Sequence, residues 1–306
     1  MRTRPSRSLV PVSSSRLPSA SPLDRPPQAD ACIGVFDSGI GGLSVLRELR
    51  AALPGERFVY WADSGHAPYG ERGDAFVQAR SHAVADALRA DHQLKALVVA
   101  CNTATAAAID SLRAAHPDLP IVGIEPALKP AVALSRTGHV GVLATRGTLR
   151  SARFGALATR VASTCQLHLQ PCDGLAEAIE QLGATTTARA HQVQRLIDQM
   201  IDCMGPLGSA TGQIDTLVLG CTHYPLAWPQ WQSRVGARAQ LIDPAAAVAR
   251  QLRHVLHAAG ALADLTGAPA GVDLMLRSTG DLLQLQAAAQ RWVPPLSAQR
   301  TPPEKI

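Results

Sequence analysis

Short apolar runs rich in β-branched residues recur along the chain, each stopped by glycine, proline or a small polar residue and followed by a stretch of helical periodicity. Residues 33–36, 58–61, 96–100, 121–124, 139–145, 166–171, 217–220 and 241–242 read as strands. Apolar positions at helical spacing predict helices over about 43–49, 74–90, from 102 to about 115, from 173 past Glu180, 186–204, and from 244 to about 259. Residues 272–292 add a short strand and a last helix. Strand, turn and helix in steady alternation predict an α/β protein with open parallel sheets, whose ligands gather at the carboxyl ends of the strands.

Two of these strands end alike. Residues 217–225 read LVLGCTHYP and residues 97–105 read LVVACNTAT, which puts Cys221 and Cys101 in the same place. Residues 139–145, HVGVLAT, likewise echo residues 32–38, CIGVFDS, aligning Thr145 with Ser38. This internal similarity predicts two similar open-sheet α/β domains related by pseudo-two-fold symmetry, with the active site in the cleft between them. The first domain is expected over residues 31–123 plus 244–293 and the second over 124–243, with a tail from 294 to 306.

Composition narrows the class of protein. At 306 residues and 46% hydrophobic the chain can bury a substantial core, with aliphatics and alanine carrying the packing because aromatics make up only 4%. The net charge of +5 is spread along the chain, and no basic segment interleaved with aromatics occurs, so nucleic acid is not an expected partner. No apolar run approaches the roughly 18 residues of a membrane span. Residues 1–30, rich in Ser, Pro and Arg, are expected to form a disordered leader. The six cysteines are scattered without a CxxC motif and read as reduced thiols of a cytoplasmic protein. Cys32, Cys165, Cys172 and Cys203 are read as packing residues.

The chemistry gathers at strand ends. Asp37-Ser38-Gly39-Ile40-Gly41-Gly42 lies between a strand and a helix, where glycines let the backbone approach a ligand. The G-x-G-x-x-G spacing of a dinucleotide site is missing, and Asp37 disfavours a phosphate, so a carboxylate or amino acid fits better. Pro68-Tyr69-Gly70 closes a second loop with turn chemistry. Asp243, before Pro244, is a candidate helix cap.

Two thiols at equivalent strand ends have four uses. Cys221 with His223 has part of a hydrolase's nucleophile and base; a zinc site needs more ligands than Cys221 and His223 supply; a dithiol redox pair needs bonding distance. The fourth use is a two-base racemase, in which one thiolate removes a proton from carbon and a thiol on the opposite face returns one. Pyridoxal phosphate offers another route to racemisation but requires a lysine, and Lys95, Lys129 and Lys305 are not at carboxyl ends of strands.

FDSGIGGLSV, Asp63 with Pro68-Tyr69-Gly70, ACNTATA, GVLAT with Thr148, and LVLGCTHYPL occur in order over residues 33–250, and in this set the chain resembles the bacterial glutamate racemases. The resemblance implies cofactor-independent interconversion of L- and D-glutamate, supplying D-glutamate for peptidoglycan, in an enzyme family that often forms homodimers. It implies Cys101 as the base for D-glutamate and Cys221 for L-glutamate, assisted by Asp37 and His223, with Asp63 a weaker candidate. It also implies a substrate pocket lined by Asp37, Ser38, Pro68, Tyr69, Gly70, Asn102, Thr103, Thr145, Thr148, Glu180, Thr222 and His223. The sequence departs from the family pattern at Asp173, where a proline usually follows the cysteine, and at Phe154, where tyrosine is common. Alternatives are a racemase of aspartate or another carbon acid, an inactive amino-acid-binding homologue and a cysteine hydrolase.

Overall fold

The computed structural model describes residues 31–183, 187–263 and 274–294. The expected leader, the tail beyond Pro294 and the first residues of the segment expected as the last strand lie outside these. Among the described residues the strands are β1 (Cys32–Asp37), β2 (Phe58–Ala62), β3 (Leu94–Val99), β4 (Ile121–Gly123), β5 (His139–Ala144), β6 (Gln166–Pro171), β7 (Thr216–Gly220), β8 (Gln240–Ile242) and β9 (Leu274–Ser278). The helices are α1 (Leu43–Ala52), α2 (Asp74–Asp91), α3 (Asn102–Ala115), α4 (Leu128–Leu134), α5 (Arg146–Arg150), α6 (Ala152–Val161), α7 (Leu175–Glu180), α8 (Thr187–Met204), α9 (Trp228–Val235), α10 (Ala245–Ala258) and α11 (Leu282–Trp292). No helix among the described residues is long and apolar enough to cross a membrane.

The strands form two parallel sheets, β4-β3-β1-β2-β9 and β6-β5-β7-β8. Written from the other edge, the second sheet runs β8-β7-β5-β6, the same order as the first four strands of the first sheet. The sequence echoes therefore fall on topologically equivalent strands: β1 with β5, and β3 with β7. β1 and β7 are buried along their whole length, as expected of central parallel strands covered on both faces.

The registers place the chemistry on one level in each sheet. Phe36 pairs with Val99, so Asp37 and Cys101 emerge together at the carboxyl ends of β1 and β3. Ala144 pairs with Gly220, which does the same for Thr145 and Cys221. The first strand end is capped by Cys101 itself, whose Sγ accepts from the Ala104 N–H of α3 at 3.4 Å. At the second, Thr145 Oγ1 accepts from Thr148 N at 3.2 Å and starts α5.

The chain crosses from the first sheet to the second after β4 and returns after β8 into α10, which packs on α1. A buried ion pair ties down the far end of this return. Lys95 Nζ lies 2.6 Å from Glu56 Oε2 and donates to Ala261 O at 2.9 Å, while Glu56 Oε1 accepts from Ala263 N at 2.9 Å. Lys95 thus has a structural task remote from the strand ends. Cys203, read as a packing residue, is exposed on α8, whose inward face is formed by Val193, Ile197, Met200, Ile201 and Met204.

Asp243 sits at the return to α10. The cap position itself is taken by Pro244, one residue later than expected, but Asp243 Oδ1 accepts from Ala245 N, the first helical residue, at 2.9 Å. Burial raises its pKa to about 6, against the lowering effects of that N–H and of Arg47. Because the folded value exceeds the unfolded one of 3.8, the fold favours the protonated carboxyl. That contribution is complete below about pH 4 and is lost as pH rises through about 6. Asp243→Asn keeps the acceptor oxygen and removes the charge. Urea unfolding across pH is expected to show the variant more stable than the parent at pH 8, by up to about 2 kcal/mol, with the difference gone near pH 4.

Candidate active site

The carboxyl ends of the two sheets face each other across a cavity of about 150 Å³, a size that elsewhere accepts one benzene-sized guest. Ser38, Pro68, Tyr69, Gly70, Cys101, Asn102, Thr103, Thr145, Glu180, Cys221, Thr222 and His223 all line it. Two residues of the expected substrate pocket stand behind the wall. Asp37 is fully buried beneath Ser38 and Thr222, and Thr148 is buried with its hydroxyl accepting from Thr145 Oγ1 at 2.9 Å.

One carboxylate links both thiol environments. Asp37 Oδ1 accepts from the Ser38 hydroxyl at 3.0 Å, and Cys101 Sγ in turn donates to Ser38 Oγ at 3.7 Å. Asp37 Oδ2 accepts from the Thr222 hydroxyl, beside Cys221, at 2.8 Å. Burial raises the Asp37 pKa; His223 and the hydrogen bonds from Thr222 and Ser38 oppose the rise. The Cys101 thiol is raised as well, chiefly by burial and then by the charge of Asp37, with the Ala104 N–H opposing. Once ionised, such a thiolate is a strong base.

Cys221 has a different companion. His223 Nδ1 lies 3.8 Å from Cys221 Sγ, and His223 Nε2 donates to Glu180 Oε2 at 2.5 Å. Burial alone lowers the imidazole pKa, but Cys221 and Glu180 together outweigh it and hold His223 well above its ordinary value. The imidazolium is therefore favoured next to Cys221. Glu180 is fixed from the opposite half, accepting from Ile40 N at 3.1 and 3.2 Å.

The glycine-rich turn after β1 explains how these groups fit. A Cβ on Gly39 would lie 2.7 Å from both Glu180 carboxylate oxygens, and one on Gly41 would lie 2.7 Å from His223 Cε1 and from Thr222 Oγ1. The expectation that these glycines admit a ligand is thereby amended: their backbone admits side chains of the other half. Ser44, in α1, secures the same junction by donating to Thr222 O at 2.9 Å.

The cavity also has walls that the sequence reading did not assign. Glu71, Arg146, Cys172, Asp173 and Glu177 line it, and Arg146 is ion-paired with Asp173. Cys172, read as a packing residue, is buried at the cavity wall one residue beyond β6. Its position just after a predicted strand was the available signal. Asp63 is not among the lining residues, and its oxygens are taken by Arg80, Tyr69, His66 and Thr279.

Comparison with known proteins identifies the family. A family model described as Asp/Glu/hydantoin racemase matches residues 33–252. The chain belongs to that family. Within it, the glutamate racemase of Pseudomonas syringae pv. tomato is 49% identical over 247 residues, covering 81% of this chain and 86% of the relative. The crystal structure of a glutamate racemase isoform from Bacillus anthracis superposes with a TM-score of 0.74 at 32% identity, covering 87% of this chain and 95% of the other. The Escherichia coli glutamate racemase, solved with L-glutamate and an activator, UDP-MurNAc-Ala, gives 0.72 at 31% identity over 86% of this chain and 95% of its own.

The Glu180–His223 pair offers a direct test. Glu180→Gln removes the charge that helps to raise the imidazole, so the His223 pKa is expected to fall, read from the pH dependence of its ring NMR signals. An unchanged titration would show that Glu180 does not set the charge of His223.

Proposed function

We propose that the chain interconverts L- and D-glutamate without a cofactor, through two bases, Cys101 and Cys221, and that it supplies D-glutamate for peptidoglycan in the cytoplasm. What carries the reading is the pair of thiols at equivalent strand ends on opposite sides of one small cavity. Support for the substrate comes from the glutamate racemases that match most of the chain. A Francisella tularensis glutamate racemase, 26% identical with a TM-score of 0.71, was solved with D-glutamate, the enantiomer of the ligand in the Escherichia coli structure.

In each turnover one sulfur, as thiolate, takes the Cα proton and becomes a thiol. The carbanion's charge spreads into the adjoining carboxylate, and the facing thiol gives its proton to the opposite face and becomes a thiolate. The C–H bond broken on one side is replaced on the other, so the substrate is inverted and the two sulfurs have exchanged protonation states. Proton exchange then resets them, through Asp37 and Ser38 at Cys101 and through His223 at Cys221.

Holding the carbon between the sulfurs is the task of the polar wall. Asn102 is buried with both side-chain polar atoms lacking a partner, in a cavity that needs to grip an ammonium and two carboxylates. Thr103, Thr145 and Thr148 form a hydroxyl cluster beside it, with Thr103 Oγ1 and Thr145 Oγ1 3.0 Å apart. Thr103 and Thr145, at the wall, suit recognition of carboxylate oxygens, with Thr148 behind them.

Incubation with L-glutamate in deuterium oxide is expected to yield D-glutamate carrying deuterium at Cα. Absence of both racemisation and exchange with either enantiomer, in folded protein, refutes the activity; turnover of aspartate in place of glutamate refutes the substrate. Cys101→Ser and Cys221→Ser are each expected to lower kcat by at least about 10²-fold, because one base cannot invert the centre. Near-parental rates in either variant exclude the two-base assignment.

A further inference from the structure

Asp63 lies at the end of β2, buried and outside the cavity wall, yet it gathers five donors. Its Oδ1 accepts from Arg80 Nη2 at 2.9 Å and from the Thr279 hydroxyl at 2.8 Å, and lies 3.0 Å from His66 Nδ1. Its Oδ2 accepts from Tyr69 Oη at 2.6 Å and from Arg80 Nε at 2.9 Å. A carboxylate so occupied has no free lone pair directed at either thiol. Burial pushes its pKa up, but hydrogen bonds from Arg80, Tyr69 and Thr279 prevail and keep it below the ordinary value. Asp63 is thus held ionised and engaged, which suits an anchor and not a proton carrier.

What it anchors is the loop that closes one side of the cavity. Tyr69 is buried between Phe36 and Phe76, and Gly70 follows it against the opposite half. A Cβ on Gly70 would lie 2.8 Å from Thr145 Cβ. Pro68, Tyr69 and Gly70 all line the cavity, so an error in the height of this loop becomes an error in the width of the site.

The far side of the anchor comes from beyond the family match, which ends at residue 252. Thr279 follows β9, accepts from Gly65 N at 3.1 Å and donates to Asp63. Its backbone N–H donates to Ala62 O at 3.1 Å. The approach is close enough that a Cβ on Gly65 would lie 2.7 Å from Thr279 O. The Thr279 hydroxyl therefore couples the C-terminal strand to the carboxylate that holds the substrate loop.

We propose that Thr279 and Arg80 are positioning residues for the reaction, acting through Asp63 on the Tyr69–Gly70 loop. Arg80 supplies the bidentate hold from α2, and Thr279 couples β9 to the same carboxylate. This inference rests on the racemase reading above for its kinetic arm only.

Thr279 is exposed, so Thr279→Val removes the hydroxyl without opening the core, and Thr279→Ser restores it. For the valine variant KM is expected to rise about fivefold or more for both enantiomers, with kcat within about twofold of the parent and the serine variant near parental. Amide hydrogen exchange of residues 66–71, followed by mass spectrometry without substrate, is expected to quicken in the valine variant. Unchanged KM and exchange, serine as impaired as valine, or a fall in kcat at constant KM would each overturn the proposal. Should the parent turn over neither enantiomer, the activity reading fails on its own, while exchange still decides whether Thr279 secures the loop.

Discussion

The contact on which the site depends is the approach of a backbone without side chains to the side chains of another sheet. Gly39 and Gly41 leave room for Glu180, Thr222 and His223, and the Ile40 N–H supplies a bond to Glu180 in that space. Without this approach Asp37 would lack its second hydroxyl, from Thr222, and Glu180 its backbone donor, Ile40. The junction therefore does two things at once: it packs the halves together, and it brings charged groups to both sides of the cavity.

Burial and charge work against each other there, and the balance differs at the two thiols. Cys101 lies at a helix start, a position that usually favours a thiolate, yet burial and Asp37 push its proton affinity up. Around Cys221 the nearest titratable partner carries the opposite charge, because Glu180 and the sulfur overcome the burial of His223. The same strand order thus carries two thiols in chemically distinct surroundings.

Much of this was legible in the sequence because it rests on local pattern. The apolar runs ending at Cys101 and Cys221, the echo of residues 32–38 at 139–145, and the motif residues that meet at the cavity were all readable within a few positions of each other. The rest depends on contacts between distant segments. Glycines 39 and 41 carry no mark of what fills the space beside them; Cys172 differs from a core cysteine only by the strand end it follows; and the tie from Asp63 to Thr279 spans 216 positions. Asp63 itself was visible beside the motif that holds Tyr69, but Arg80 and Thr279, which complete its hold, belong to no motif.

The matched strand order of the two sheets also meets a constraint from outside the protein. Enantiomers have equal free energy in an achiral solvent, so a catalyst that interconverts them works on an equilibrium constant of one. Its kcat/KM must then be the same in both directions at every pH, however unlike the surroundings of Cys101 and Cys221. The hydroxyl and carboxylate beside one sulfur and the imidazole beside the other can divide binding from turnover differently for each enantiomer, but they cannot make the enzyme run one way.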